Sequence, residues 1–418
     1  TISVPFYKIV NIGEKMKIAK RHFLNYSILI PYLILSIIGL IIVYSTTSAY
    51  QIQQGGNPMR LVINQSLFWL VSLVAIFIIY RMRLSFLRRS SVVNIVIVVE
   101  MILLIASRFF APVNGAHGWI RFAGFSMQPA EYLKLIIIWF LAHKFDRIQS
   151  DIGTYDYQAL TKGRVFPNRL NDWRVVSLIF LGLVVTLPDL GNATIISLII
   201  IIMLSVSGIG YRWFSTALMG ITVGATVLLG SIWVIGADVV AKIPVFGYIA
   251  KRFAAFFNPF EDATNAGLQL SNSYYAMSNG GWLGRGLGNS IEKKGYLPEA
   301  HTDFAFSIVI EELGLIGASL ILAILFFMIL RIIVVGIRAR DPFNAMMALG
   351  IAGMLLVQTF VNIGGISGLI PATGVTFPFL SQGGSSLLII SIGVAFVLNI
   401  DAHERRLLLE EEIEQTLS

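Results

Sequence analysis

The chain has 418 residues, 56% of them hydrophobic and 13% charged, with a mean hydropathy of +0.78. A soluble domain carries about 25% charged residues, so composition excludes a soluble globular enzyme, a disordered chain and a fibrous protein, and points to an all-α polytopic membrane protein. The net charge of +8 is scattered between apolar runs, a pattern of membrane topology rather than nucleic-acid binding, and the lack of cysteine removes disulfides, thiolate metal sites and Cys nucleophiles.

Ten apolar runs approach the roughly 20 residues that cross a bilayer, at about 27–47, 61–80, 91–107, 131–145, 175–190, 192–209, 215–237, 303–330, 343–364 and 384–400. Before the first lies a basic segment, 1–26. Within it Met16-Lys17-Ile18-Ala19-Lys20-Arg21 has the look of a bacterial start, so residues 1–15 read as upstream sequence. The first run then serves as an uncleaved insertion signal. The connections on one side hold 21 of the 31 Lys and Arg residues. By the positive-inside rule that side is cytoplasmic, as are both termini.

The third run carries Glu100, isolated in sequence. A polar external loop, Asn114-Gly115-Ala116-His117-Gly118-Trp119-Ile120-Arg121, leads to Gln128-Pro129-Ala130-Glu131 and the fourth run. Lys134 lies in that run, three residues after Glu131, and the two can pair. A structural ion pair or a snorkelling lysine would account for them, but intramembrane charge more often marks a substrate path. Asp189 in Pro188-Asp189-Leu190-Gly191-Asn192 fits a turn and puts a carboxylate at the external ends of two runs.

An external connector over about 238–302 separates the seventh and eighth runs. It is too long for a mere link. It contains Lys251-Arg252, Asn258-Pro259-Phe260, the Gly-rich stretch 280–288, then Lys293, Lys294 and Tyr296-Leu297-Pro298-Glu299-Ala300-His301-Thr302-Asp303. The glycines do not have dinucleotide-binding spacing. No ATP reaches an outside site, so chemistry there needs a preactivated substrate. On residue type alone Asp303 reads as the N-cap of the eighth run. On a helical wheel Asp303, Ser307, Glu311, Gly314 and Ala318 share an arc of about 80°. That polar, small stripe should face protein or a water-filled cavity, with Glu311 deep within the span; Glu312 points almost opposite. Further on, Pro371 and Pro378 bracket a segment ending in Ser381-Gln382-Gly383-Gly384-Ser385-Ser386. Its backbone amides and hydroxyls could hold an anion at the tenth helix N-terminus. Leu409, Ile413 and Leu417 recur at helical spacing in an acidic tail, 401–418, which reads as a helix continuing the tenth run.

Taken in order, these motifs resemble the SEDS family of cell-wall glycosyltransferases, over essentially the whole chain from Met16 onward. The residues that carry it are Trp119-Ile120, Gln128-Pro129-Ala130-Glu131 with Lys134, Pro188-Asp189-Leu190-Gly191, Asn258-Pro259-Phe260, Tyr296 to Phe304, Glu311-Glu312-Leu313-Gly314 and Gly383-Gly384-Ser385-Ser386. The Leu297–Phe304 string is more similar to the septal (FtsW) than to the elongation (RodA) branch. Gly118 and Gln382 depart from it, where the family often has Arg and Tyr. The resemblance implies ten helices, 27–400, with the 238–302 loop outside, and polymerisation of lipid II, the undecaprenyl-diphosphate-linked disaccharide–pentapeptide. It marks Asp303 as the essential acid, which fits a general base for the acceptor hydroxyl. Charge for the departing diphosphate would come from Lys134, Arg121, Lys293, Lys294 or a divalent cation, Mg or Mn, with no nucleotide. Glu131, Trp119, Gln128, Asp189, Glu299, His301, Glu311, Ser385 and Ser386 complete the candidate substrate contacts. The implied setting is the bacterial plasma membrane at the division septum, with lipid II, membrane lipids, a class B penicillin-binding protein transpeptidase and other divisome membrane proteins as partners. The competing readings are a lipid II flippase, which needs a polar path to the cytoplasmic side, an elongation-type polymerase, and a divisome scaffold.

Overall fold

The computed structural model describes residues 23–53, 55–111, 118–122, 125–149, 172–235, 247–260 and 265–417. The N-terminal basic segment to residue 22, residues 114–117 of the first external loop, and residues 238–246 and 261–264 of the long connector lie outside the described residues. The helices are α1 (Tyr26–Gln53), α2 (Arg60–Arg81), α3 (Leu84–Leu87), α4 (Ser90–Ser107), α5 (Pro129–Arg147), α6 (Trp173–Thr186), α7 (Leu190–Val206) and α8 (Tyr211–Ile235). They continue as α9 (Gly247–Phe257), α10 (Asn265–Gly280), α11 (Ala305–Arg338), α12 (Pro342–Ile366) and α13 (Gly384–Leu417). Each of the ten apolar runs overlaps a helix, α1, α2, α4 to α8 and α11 to α13 in order, with the fifth run, 175–190, crossing the Pro188-Asp189 break. Among the described residues six helices are long and apolar enough to cross a membrane, namely α1, α2, α4, α11, α12 and α13; α6 and α7 are shorter apolar helices. The chain is a multi-pass membrane protein.

One correction to an all-α reading is a two-stranded antiparallel hairpin, β1 (Ile120–Phe122) and β2 (Phe125–Met127), directly before α5. Pro129 starts α5 in its first turn, where a missing N–H costs nothing. The most enclosed helix is α13, packed along α2, while α12 packs against α5, α7 and α11. Tyr32, Phe140, Phe180 and Phe343 fill the interior. Ile37, Ile41, Phe77, Val98 and Ile102 stay exposed, as lipid-facing positions require.

The helix α11 is broken near its N-terminal end. At about 1.5 Å per residue its 34 residues would reach about 51 Å, far beyond the roughly 30 Å hydrocarbon core. Gly314 breaks the helical path with φ 71° and ψ 177°. The backbone groups freed there are satisfied by the Gly-rich stretch. The N–H groups of Arg285 and Gly286 donate to the Glu311 and Glu312 carbonyls at 2.9 Å, and those of Leu315 and Ile316 donate to Gly281 and Trp282 at 2.9 and 3.1 Å. A Cβ on Gly284 would lie 2.3 Å from the Glu312 carbonyl oxygen, so the close approach requires glycine.

At the opposite end charged side chains tie the helices together. Arg88 bridges Asp146 at 2.9 Å and Asp341 at 2.6 Å. Asn25 donates to Asp401 at 2.9 Å, and Asn344 to Glu404 at 2.7 Å. The tail continues α13 without a break to Leu417, and Arg340 pairs with Glu411 on it.

Candidate functional site

Four breaks in the helices meet at one end: the β1–β2 hairpin, the Pro188-Asp189 turn, the 296–304 segment and the 371–383 segment. Each has a local cause. Asp189 caps α7, accepting from the Asn192 N–H at 3.0 Å and its amide at 2.9 Å. Gly191 lets the 373–375 backbone close on that helix start, since a Cβ there would meet the Thr373 oxygen at 2.5 Å. The 371–383 segment is pinned to the Asp303 segment. The Gln382 N–H donates to the His301 carbonyl at 2.8 Å, the Ser381 hydroxyl donates to the Thr302 carbonyl, and Phe306 stacks on Phe377 at 4.5 Å. Glu299 and Phe379, in these two segments, hold left-handed φ of 57° and 66°. Such non-glycine conformations persist where surrounding contacts over-determine them, often at functional sites.

Asp303 is not an N-cap. The helix starts at Ala305 after Phe304, with no side-chain cap. Asp303 is half-buried, and Asn362 fixes its backbone by donating to its carbonyl and to that of Val375, both at 2.7 Å. Burial pushes its carboxyl up to about 6; Arg252 opposes this, and Glu299, Asp189 and Glu131 add to it. Those through-space effects put Asp303, Asp189 and Glu131 in one electrostatic neighbourhood. Burial likewise raises Asp189, against its bonds from Asn192, and lowers the His301 imidazole, against Glu299.

Lys134 is fully enclosed. Its ammonium donates to Glu131 at 2.8 Å and to Gln358 Oε1 at 3.3 Å. Gln358 continues the chain, donating to the Thr376 carbonyl at 3.0 Å and to Ser386 Oγ at 3.3 Å. Gln128 donates through Nε2 to Asp189 at 2.7 Å and through its backbone N–H to Ser385 Oγ at 3.3 Å. Asp303, Glu131, Lys134, Gln128, Asp189, Ser385 and Ser386 therefore share one connected region, with Glu299 and His301 beside it. Thr302 donates to Glu299 at 2.8 Å. Trp119 is half-buried ahead of the hairpin, and Arg121 is exposed on β1.

Besides Arg121, three expected site residues are engaged elsewhere or exposed. Glu311 faces protein, one of the two surroundings expected of its stripe, rather than a cavity. It is fully buried and accepts from the Ser290 hydroxyl, the Ile291 N–H at 2.9 Å and the Glu292 N–H at 3.4 Å. The wheel assumed one straight helix through Asp303, whereas α11 starts two residues later and breaks at Gly314. Lys293 is buried against Glu312 at 2.6 Å and Ser45 at 2.8 Å, and Lys294 is exposed in a turn. Sequence reading missed Gln358, Asn362 and Arg252. The first two were hidden in an apolar run whose only signal was amides at interior positions. Arg252, on α9, donates to the Ala372 carbonyl.

A family model described as a cell cycle protein, of the FtsW, RodA and SpoVE group, matches residues 25–406. The chain belongs to this family. It is 50% identical over 402 residues to the probable peptidoglycan glycosyltransferase FtsW of Lactococcus lactis, covering 94% of this chain and 95% of that one. To the probable peptidoglycan glycosyltransferase FtsW of Bacillus subtilis it is 36% identical over 383 residues, 90% of each chain. Its fold is similar to a chain from a structure of a peptidoglycan synthase complex that coordinates polymerization and crosslinking. The TM-score there is 0.67 at 22% identity, covering 91% of this chain and 98% of that one.

Proposed function

We propose that this family member is a glycosyltransferase that polymerises lipid II at the outer face of the bacterial plasma membrane during septal wall synthesis, with Asp303 as general base. The observation that carries the reading is a half-buried carboxylate, pushed up to about 6, next to a connected set of amide, hydroxyl and ammonium groups. A base tuned near the working pH takes the acceptor hydroxyl proton most effectively. As the acceptor oxygen attacks the donor anomeric carbon, negative charge builds on the diphosphate and needs a cation. The Glu131–Lys134 pair supplies one close by. Among the described residues no three His, Asp or Glu side chains converge into a group that could hold a metal; a Mg or Mn ion carried by the diphosphate would need only one or two carboxylates from the protein.

The polar side chains of this region gather at one end of the helices, which favours an enzyme over a flippase with a continuous polar path. We further propose ten crossings with both termini cytoplasmic, and a class B transpeptidase as partner for crosslinking. The primary test is lipid II polymerisation by the purified chain with its transpeptidase. Asp303→Asn should fold, insert and make no polymer, and near-normal polymer would remove Asp303 as base. A reporter after residue 290 should lie outside and one after residue 155 inside; the reverse at either site refutes the topology.

A further inference from the structure

A cavity of about 1340 Å³ opens at the end of the helices opposite Asp303. One wall is the corner between α2 and α3, with Arg81, Arg83 and Ser85; the other is the start of the tail on α13, with Ala402 and Arg406. Its depth follows from α2. The 22 residues of that helix rise about 33 Å, close to the roughly 30 Å hydrocarbon core, so Arg81 in its last turn lies where acyl chains give way to headgroups. Phe77 and Phe86 flank the corner and are 56% and 42% exposed. The Arg81 guanidinium lies 4.3 Å from the centre of the Phe77 ring. Asn399, fully buried on α13, holds the corner from behind by donating to the Ile79 and Met82 carbonyls. The charges around the cavity differ in what they face. Arg88 is tied to Asp146 and Asp341, and Arg406 lies 3.4 Å from Glu410. Arg81 and Arg83 are exposed, and among the described residues neither has a carboxylate partner. Glu414 also lines the cavity, but about 18 Å along the tail from Ala402 at 1.5 Å per residue.

We propose that this cavity binds the phosphate headgroup of an anionic phospholipid, with Arg81 and Arg83 as its charge partners. Two planar guanidinium forks on one fixed turn suit phosphate oxygens. Basic cavities between membrane helices take anionic headgroups in this way. The exposed flank at Phe77 leaves the acyl chains a path along α2. A lipid fits better than an acidic peptide, because the unpaired positive charge sits at the membrane boundary. Farther out, where a peptide would lie, the wall carries Glu410 and Glu414. The site itself follows from the cavity and its charges; only the leaflet, the inner one, rests on the topology proposed above.

The test is phosphatidylglycerol binding to the purified full chain in detergent, read by native mass spectrometry, with phosphatidylcholine and inorganic phosphate as comparison probes. The wild-type chain should hold phosphatidylglycerol roughly tenfold more tightly than phosphatidylcholine. The double variant Arg81→Gln/Arg83→Gln should lose most of that preference, and Arg81→Lys/Arg83→Lys should keep part of it, as point charges replace forks. Arg147→Gln/Arg338→Gln removes the same charge at exposed positions outside the cavity and should keep the preference. All three double variants should melt like wild type, since the substituted side chains are exposed. An undiminished preference in Arg81→Gln/Arg83→Gln would overturn the proposal. So would an equal loss in Arg147→Gln/Arg338→Gln, which would mean surface charge without a site, or inorganic phosphate binding as tightly as the lipid. A reversed reporter topology would change only the leaflet that supplies the lipid, and the binding result would stand.

Discussion

Among the described residues two lysine–glutamate pairs are buried, and they sit in different surroundings. Lys134 and Glu131 lie 2.8 Å apart on one helix, and Lys293 and Glu312 lie 2.6 Å apart between a loop and the kink of α11. The first pair opens into Gln358, Thr376 and Ser386, next to Asp303. The second closes on the hydroxyl of Ser45, which ties α1 to the loop and the kink. Burial and distance are nearly the same in both. What separates them is the next shell: one pair is wired to polar groups at broken helix ends, the other to backbone and a single hydroxyl. A buried charge thus says that something must pair with it, and its neighbours show whether the pair sits among polar groups at broken helix ends or locks a loop.

The largest expected effect breaks the structural pair. Lys293→Met leaves Glu312 buried without a counter-charge, which should cost about 3–5 kcal/mol. Thermal unfolding in detergent should show it, together with loss of activity through misfolding. The double variant Lys293→Met/Glu312→Leu should regain most of the stability and the polymerisation. In the other pair, Lys134→Met should destabilise similarly, and Lys134→Met/Glu131→Leu should regain stability while polymerisation stays low. Full activity in that second double variant would make both pairs structural.

Asp303 gives a pH test with a defined sign. Its folded carboxyl is raised to about 6 from an ordinary 3.8. The folded chain therefore holds this proton more tightly than the unfolded one. Stability from this group is gained as pH falls through 6 toward 4, and above 6 the carboxylate works against folding. Asp303→Asn should thus melt higher than wild type above pH 6, with the gap closing below about pH 4. Polymerisation by wild type should climb as pH rises through about 6. A flat rate between pH 5 and 7.5 would count against a titrating base.

Much of this was legible in the sequence because lipid imposes hard limits. The apolar runs overlap helices, six of them long and apolar enough to cross a membrane, since a backbone in lipid must satisfy itself. Glu131 with Lys134 could be read from their spacing of three on one helix; that Gln128 meets Asp189 could not, because the two lie 61 residues apart and only the fold joins them. The stripe of Ser307, Glu311, Gly314 and Ala318 was expected to face protein or a water-filled cavity, and it is buried in protein; what the stripe could not show is that Gly314, with a φ of 71°, breaks the helix. The Gly-rich stretch 280–288 was seen, but its purpose was not. Its glycines serve backbone-to-backbone bonds with α11 that come from distant sequence, and no local pattern reports such a partner. Arg252 stayed unread for the same reason: only the fold brings it to Gly374.

The kink offers a middle-sized test. Gly314→Ala would force a Cβ to within 2.4 Å of the Gly284 nitrogen and the Trp282 oxygen, at a φ that L-residues avoid. A cost of about 1–3 kcal/mol follows from the conformation alone, and the clash adds to it. Because the splinted loop also carries Lys293, the same substitution should loosen that ion pair. Proteolysis of the 280–295 segment should then speed up more than proteolysis near Lys134.

The smallest effect belongs to a third pair, Arg340 with Glu411, whose side chains are 62% and 53% exposed. Here water competes for both charges and salt screens them. Two long side chains must also be ordered to meet, so such a pair contributes about 0–1 kcal/mol. Arg340→Ala should shift the melting temperature little, and less still at high salt. Glu411 lies on the acidic tail that extends α13 past Glu404, and Glu404 accepts both the Asn344 amide and the Arg340 N–H, at 2.7 and 3.1 Å. A chain ending at residue 408 keeps those inner bonds and loses only the exposed pair. It should fold and polymerise like the full chain. A marked loss of polymerisation in that truncated chain, with its stability intact, would mean that the tail belongs to the catalytic unit, and that exposure alone does not separate working charges from idle ones.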